Sequence, residues 1–224
     1  WHNKIVLGTT DTAVSTISAE PIPLQEEIEF ILKHIGRYLS KDPQLSDVKS
    51  MFAGLRPLVK GKTKKTASLS RDHHISIGDS GLITLTGGKW TTYRKMAEDV
   101  IDIAIEKYSL PGKPCVTQEL KLYGHDSAAA PVETTSLSNE NLTSAIKKSV
   151  EEEMCMTVED FLSRRTRQLL LGAKAAIEIA PTVAAIMAKE MNKEDIWVKE
   201  QINNFNDIAI SYTPTRNNKL QTKN

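Results

Sequence analysis

The stretch Ile83-Thr84-Leu85-Thr86-Gly87-Gly88-Lys89-Trp90-Thr91-Thr92-Tyr93-Arg94 changes character at its middle. Its first four residues are apolar or β-branched and read as a strand. Beyond Arg94 the chain continues Met96-Ala97-Glu98-Asp99-Val100-Ile101, a helical pattern. The two glycines at the junction let backbone come close to a ligand. The first N–H groups of a helix lack intrahelical acceptors and make that end a natural anion site. Lys89 adds a cation there, although the helix dipole disfavours one, so the placement asks for an anion nearby. The plain alternative is a lysine that reaches into solvent.

Working outward, His73–Ile77 and Gly81–Thr86 are expected to form a hairpin joined through Gly78-Asp79-Ser80. His73 and His74 would then point to opposite faces, one packed and one solvated, with no joint metal site. The helix after Gly88 should run to about Tyr108 and stop before Pro111-Gly112. Upstream, residues 4–9 read as a short strand. Leu24–Leu39 reads as a helix, with Ile28, Ile31, Leu32, Ile35 and Leu39 at i, i+3, i+4 spacing. Gln44–Lys60 reads as a strand carrying Arg56, followed by the basic loop Lys60–Lys65.

Pro111–Ser138, with three prolines and Ala128-Ala129-Ala130, reads as a linker. Everything after it reads as helical. Asn139 or Asn141 is expected to cap a helix through Glu151-Glu152-Glu153, and Thr157 with Asp160 forms a capping box with Asp in place of Glu. Leu169–Met191 is Ala-rich, with Pro181 expected to break or kink it. Asn192 is expected to cap a last helix buried along Ile196, Trp197, Ile202, Phe205 and Ile208. Residues 213–224 are polar and expected to fray.

With 224 residues, 40% hydrophobic and 25% charged, the chain has enough material for one or two domains with a core. A net charge of +1 argues against nucleic acid as a partner. Arg164-Arg165-Thr166-Arg167 therefore reads as the polar face of an amphipathic helix, between Phe161-Leu162 and Leu169-Leu170. Cys115 and Cys155 are too isolated for a metal site, so no metal is expected and a reducing cytoplasm is the simpler setting.

Arg56 lies between Leu55 and Pro57-Leu58. A guanidinium in an apolar strand needs a partner: a phosphate held by its planar fork, or a structural carboxylate. Arg71, in Ser-Arg-Asp-His, could pair with Asp72. Thr91 and Thr92 could cap a helix or offer hydroxyls to a ligand. Arg94 could equally be a surface residue. Asp11 more plausibly fixes a turn.

Several of these segments carry a resemblance. Gly-Gly-Lys-Trp-Thr-Thr-Tyr-Arg-Lys-Met-Ala-Glu from Gly87 resembles the motif near the C-terminal end of the FAD domain in FAD-dependent glycerol-3-phosphate dehydrogenases and their oxidase relatives. Gly8-Thr9-Thr10-Asp11-Thr12, Phe52–Leu58 and Ser70–His73 follow that family's order. Thr157–Arg167 resembles the start of its C-terminal helical domain. The resemblance spans roughly Trp1 to Tyr212.

It implies an α+β fold: the C-terminal part of an FAD-dependent oxidoreductase, with substrate-domain and FAD-domain segments over residues 1–112, then an all-α helical domain over 113–224. It implies oxidation of sn-glycerol 3-phosphate to dihydroxyacetone phosphate, with FAD as hydride acceptor and quinone or oxygen as the final acceptor. Lys89 would be catalytic and would touch substrate. Arg56 and Arg71 would bind the substrate phosphate. Gly87, Gly88, Lys89, Trp90, Thr91 and Thr92 would face the cofactor. The family's strand, G-x-G-x-x-G turn and helix have no counterpart here. The chain is thus expected to be the C-terminal part of a longer polypeptide, without tight FAD binding or activity alone, and with the general base elsewhere. For the whole protein, a homodimer and a peripheral place on the inner face of the cell membrane are options. The rival reading is a non-catalytic helical interaction or oligomerisation domain.

Overall fold

A computed structural model describes residues 1–56, 58, 72–122, 125 and 139–214. Arg71, Pro57, the basic loop 60–65, most of the expected linker and the tail 215–224 lie outside the described residues. The chain forms two compact units. One gathers Trp1–Thr10, Thr16–Gly54 and Ala129–Asn224; the other gathers Asp11–Ser15 and Leu55–Ala128. The architecture is α+β, mostly helical with one two-stranded sheet. By contacts, the N-terminal segments to Gly54 group with the helical part, although they precede residue 112 in sequence.

The first unit contains α1 (Gln25–Ile35), then α3 (Asn139–Glu153), α4 (Gln168–Leu171), α5 (Ala173–Glu190) and α6 (Asp195–Ala209). Its core is built from Ile146, Cys155, Val158, Phe161, Leu162, Leu169, Val183, Met187 and Phe205. α5 is the central member and packs against α3, α4 and α6. Its alanines explain this. Ala173, Ala176, Ala180 and Ala184 are all fully buried and recur at helical spacing. Small side chains on one face let three neighbours approach the same helix.

The expected Thr157–Asp160 capping box is present. Asp160 N–H donates to Thr157 Oγ1 at 3.0 Å, and Thr157 N–H donates to Asp160 Oδ2 at 3.0 Å. The turn it opens is π-helical over Asp160–Arg165 rather than a plain α-helix. Arg164 pairs with Glu159 and Asp160, and Arg165 with Glu153, so these arginines form the polar face expected of them.

Five expectations are corrected. Residues 4–9 form no strand; Ile5 and Val6 are exposed and extended without a ladder partner. Gln44–Lys60 gives only a short 3₁₀ turn at Leu45–Asp47 and then chain outside any sheet ladder to Arg56. Pro181 does not break its helix: it sits inside α5 on the exposed face, where the helix is held by buried neighbours on its other side. Asn192 caps the end of α5, not the start of α6. It adopts φ 51°, Lys193 N–H reaches back to Ala188 O at 2.8 Å, and Glu194 takes the α6 cap position. Ile196 is exposed, so the buried stripe of α6 centres on Phe205 and Ala209.

A strap from the N-terminal segment closes this unit. Ser50 Oγ donates to Leu169 O at 2.8 Å, Ala173 N–H donates to Lys49 O at 3.0 Å, and Met51 N–H donates to Tyr212 O at 2.9 Å. These bonds satisfy groups at the α4–α5 junction and after α6, where helix ends leave backbone unpaired. Met51 is buried.

In the second unit, β1 (His73–Ile77) and β2 (Ile83–Gly87) form the expected antiparallel hairpin, and α2 (Tyr93–Tyr108) follows. α2 closes on Ser109 at φ 50°, with Leu110 N–H returning to Ile105 O. None of the residues of β1, β2 or α2 is fully buried.

The two thiols differ in a testable way. Cys115 is exposed and Cys155 buried; burial, with Asp160 adding to it, pushes the Cys155 thiol from 9.0 up to about 11. The folded chain should therefore yield one fast-reacting thiol with a disulfide reagent at pH 8, and two after denaturation. Folding favours the protonated Cys155, so its contribution to stability is complete below pH ~9 and is lost as pH rises through about 11. Two fast thiols in the native chain would contradict this core.

Candidate functional site

The site is built where β2 gives way to α2. Gly87 pairs with His73 across the hairpin, the last rung of the ladder. Gly87 has φ 74° and Gly88 φ 82°, two consecutive residues in the left-handed region. Residues with a Cβ avoid this region, and a consecutive pair is open only to glycine at low cost. The second glycine also needs space. A Cβ on Gly88 would stand 2.4 Å from Met96 Sδ and 3.4 Å from His73 Cβ. The chain can thus turn tightly over α2 only without side chains at this point.

Lys89 follows in extended conformation (φ −136°, ψ 150°) at the cap of a 3₁₀ turn, Trp90–Thr92, that leads into α2. Lys89 is exposed and its ammonium has no partner among the described residues. Trp90 is 85% exposed and stacks on Tyr93, with ring centroids 5.3 Å apart. Thr92 stands at the N-cap of α2 but makes no side-chain capping bond; its hydroxyl turns back to Lys89 O at 3.1 Å and fixes the carbonyl of the lysine itself. Thr91 is exposed on the same turn. Lys89 to Thr92 therefore form one outward-facing corner, preceded by bare backbone at Gly87-Gly88.

Arg56 is not in an apolar strand. It is exposed and its Nε lies 3.5 Å from Asp11 Oδ2, so the structural-carboxylate alternative is the one seen, and Asp11 serves as its partner rather than as a turn former. Arg71, the second expected arginine, lies outside the described residues. No cluster of three potential metal ligands exists among the described residues.

One charged network was not foreseen. His73 Nε2 donates to Asp99 Oδ2 at 2.9 Å, and Lys95 Nζ bonds the other carboxylate oxygen, Oδ1, at 2.8 Å. Lys95 also reaches Glu98, whose second oxygen accepts from Arg94. Arg94 further donates to Thr117 Oγ1 at 3.2 Å. The carboxylates hold Lys95 up at about 12, Asp99 first and Glu98 next. In return Lys95 holds Asp99 below its ordinary value, and Arg94 and Lys95 do the same for Glu98. The i, i+4 pairs Arg94/Glu98 and Lys95/Asp99 were available in the sequence. The His73–Asp99 bond joins positions 26 apart, and no local spacing signals it.

Comparison with known proteins bears on this corner. Residues 122–197 match the family described as the C-terminal domain of alpha-glycerophosphate oxidase. The chain is 34% identical, over 90% of its length, to the mitochondrial glycerol-3-phosphate dehydrogenases of Mus musculus and Homo sapiens. Over 56% of its length it is 43% identical to a probable glycerol-3-phosphate dehydrogenase of Encephalitozoon cuniculi, of which it covers 21%. The chain spans about a third of the length of the first two relatives (34% of each). The fold matches the structure of the glycerol-3-phosphate dehydrogenase from Bacillus halodurans complexed with FAD, with a TM-score of 0.70 at 24% identity, covering 94% of this chain and 50% of that one. This architecture is the one seen over half of that FAD-complexed glycerol-3-phosphate dehydrogenase chain. Residues 122–197 thus carry the C-terminal domain described for alpha-glycerophosphate oxidase, and the chain as a whole is similar to part of the glycerol-3-phosphate dehydrogenases.

The paired glycines give a direct test. Gly88→Ala forces a Cβ into the left-handed region and against Met96, and should destabilise the second unit by about 1–2 kcal/mol. Met96→Ala would clear the steric part only, so the double variant should recover little. Full recovery in the double variant, measured by chemical denaturation, would show that space rather than backbone conformation selects glycine here.

Proposed function

We propose that this chain forms one wall of the cofactor and substrate site of an FAD-dependent enzyme that oxidises sn-glycerol 3-phosphate to dihydroxyacetone phosphate. The observation that carries the reading is the Gly87-Gly88-Lys89 corner: bare backbone, then an ammonium with no partner among the described residues, in a chain whose relatives are named glycerol-3-phosphate dehydrogenases. The residues present suit the anionic edge of FAD, because an exposed cation with no partner among the described residues stands at the entrance to a helix. When bound, FAD would accept the hydride from C2. Everything else falls to the protein.

Lys89 holds positive charge where negative charge develops, on the substrate oxygen or next to the hydride acceptor. Thr91 and Thr92 present backbone and hydroxyl groups at the edge of the same corner. Arg56 would exchange its long, exposed contact with Asp11 for the substrate phosphate, and the family resemblance gives Arg71 as a second phosphate ligand. A dianion offers two oxygens to a planar fork, a better fit than a single carboxylate oxygen at 3.5 Å. Gripping the phosphate would use remote binding energy to orient C2.

Quinone or oxygen would take the electrons onward. No described helix is long and apolar enough to cross a membrane. For the whole protein the family resemblance, rather than the described helices, suggests a cytoplasmic location with peripheral attachment to the inner face of the cell membrane, and self-association as a homodimer.

Two variants of the full-length protein test the assignment. Arg56→Lys should lower kcat/KM for glycerol 3-phosphate by about 1–3 kcal/mol, with far less effect on glycerol, while Asp11→Asn should leave both nearly unchanged. Equal losses in Arg56→Lys and Asp11→Asn would reduce Arg56 to a structural partner of Asp11. Lys89→Met should slow anaerobic flavin reduction in stopped flow and lower the midpoint potential of the bound FAD, with partial rescue by Lys89→Arg. An unchanged rate and potential would remove Lys89 from the site. Should the full-length protein bind no FAD at all, the helical-docking reading takes over.

A further inference from the structure

The corner carrying Lys89 needs something to hold it. Its backbone is two left-handed glycines, its side chains are exposed, and none of the residues flanking it is fully buried. Packing alone gives such a turn little resistance to opening. What the structure supplies instead is a polar brace. His73 is the cross-strand partner of Gly87, the last residue of β2 before the turn. Its ring crosses to α2 and donates to Asp99 at 2.9 Å, with both side chains only about a quarter exposed (24% and 29%). Its Cβ lies against the space that a Gly88 side chain would need. On the α2 side, Met96 fills the rest of that space. The turn is therefore bracketed by one residue of β1 and one turn of α2, and the His73–Asp99 bond ties the two brackets together.

Asp99 is fixed in turn. Its second oxygen is taken by Lys95, and Lys95 is shared with Glu98, which is itself held by Arg94. Asp99 thus presents one remaining oxygen in one direction, and His73 occupies it. The flanking His74 faces away from this network on the exposed side of the strand.

We propose that His73 is a positioning residue for Lys89. By bonding Asp99 it locks β1 to α2 beneath the Gly87-Gly88 turn and sets where the Lys89 ammonium stands. The inference deepens the reading of Lys89 given above and rests on it. His73 does not touch substrate and takes no proton from it; its role is carried entirely through the geometry of the corner.

The proposal separates from a merely structural role in two measurements. In the chain as described here, amide exchange at residues 88–92 should accelerate about tenfold in His73→Phe, and return close to normal in His73→Gln, whose amide can still donate to Asp99. Exchange at residues 173–190 in the other unit serves as the internal standard and should not change. If 88–92 exchange at the same rate in all three proteins, or if His73→Gln is as fast as His73→Phe, the brace does not exist.

In the full-length holoenzyme, the rate of flavin reduction should fall in His73→Phe and recover in His73→Gln. In a Lys89→Met background, His73→Phe should have no further effect, because the group it positions is gone. Additive losses would mean that His73 acts by another route and would overturn the proposal even if Lys89 is essential. An unchanged rate in Lys89→Met alone would overturn both the reading of Lys89 and this extension of it.

Discussion

Two adjacent left-handed residues decide the functional half of this chain. Once Gly87 and Gly88 adopt positive φ, the strand must end and the chain must fold back over α2, and Lys89 is delivered to an exposed corner with no partner among the described residues. At Gly88 the backbone comes so close to Met96 and His73 that a Cβ there would clash. The conformation is costly for any other residue type, so the chemistry of the corner is bound to the absence of side chains there.

The two units are stabilised by different means. The helical unit has a dry centre: Phe161, Leu162, Ile146, Val183 and Ala184 are fully buried around the alanine face of α5. Its polar groups work at the margins, as the Thr157–Asp160 box and the arginine pairs of the π-helical turn. The hairpin and α2 have no such centre. There, ion pairs and the His73–Asp99 bond do the joining. Exposed ion pairs contribute modestly and lose strength in salt.

Much of this was legible in the sequence, and the misses share a cause. The hairpin, α1, α2 and the Thr157 box were readable because each depends on residues within one turn or one strand pair. Apolar runs at 4–9 and 44–60 suggested strands, but a strand exists only with a partner, and Ile5 and Val6 find none among the described residues. Pro181 looked like a breaker because propensity ignores the packing that carries a helix through it. Asn192 was seen as a start signal when its left-handed φ made it a stop. At the site, the corner itself was visible in Gly-Gly-Lys. The pairing of Arg56 with Asp11 and the His73–Asp99 bond were not, since each joins distant positions.

The strap at Lys49–Met51 bears on the order in which the molecule can be assembled. Ser50 donates to a carbonyl 119 residues ahead of it, and Met51 to one later still, at Tyr212. A ribosome emits these donors long before their acceptors. During synthesis the early segment must wait, its amide groups served by water, while α3 to α6 emerge and collapse on one another. Only then can the strap lie down across the α4–α5 junction. The helical bundle is in this sense closed by residues that precede it in the chain.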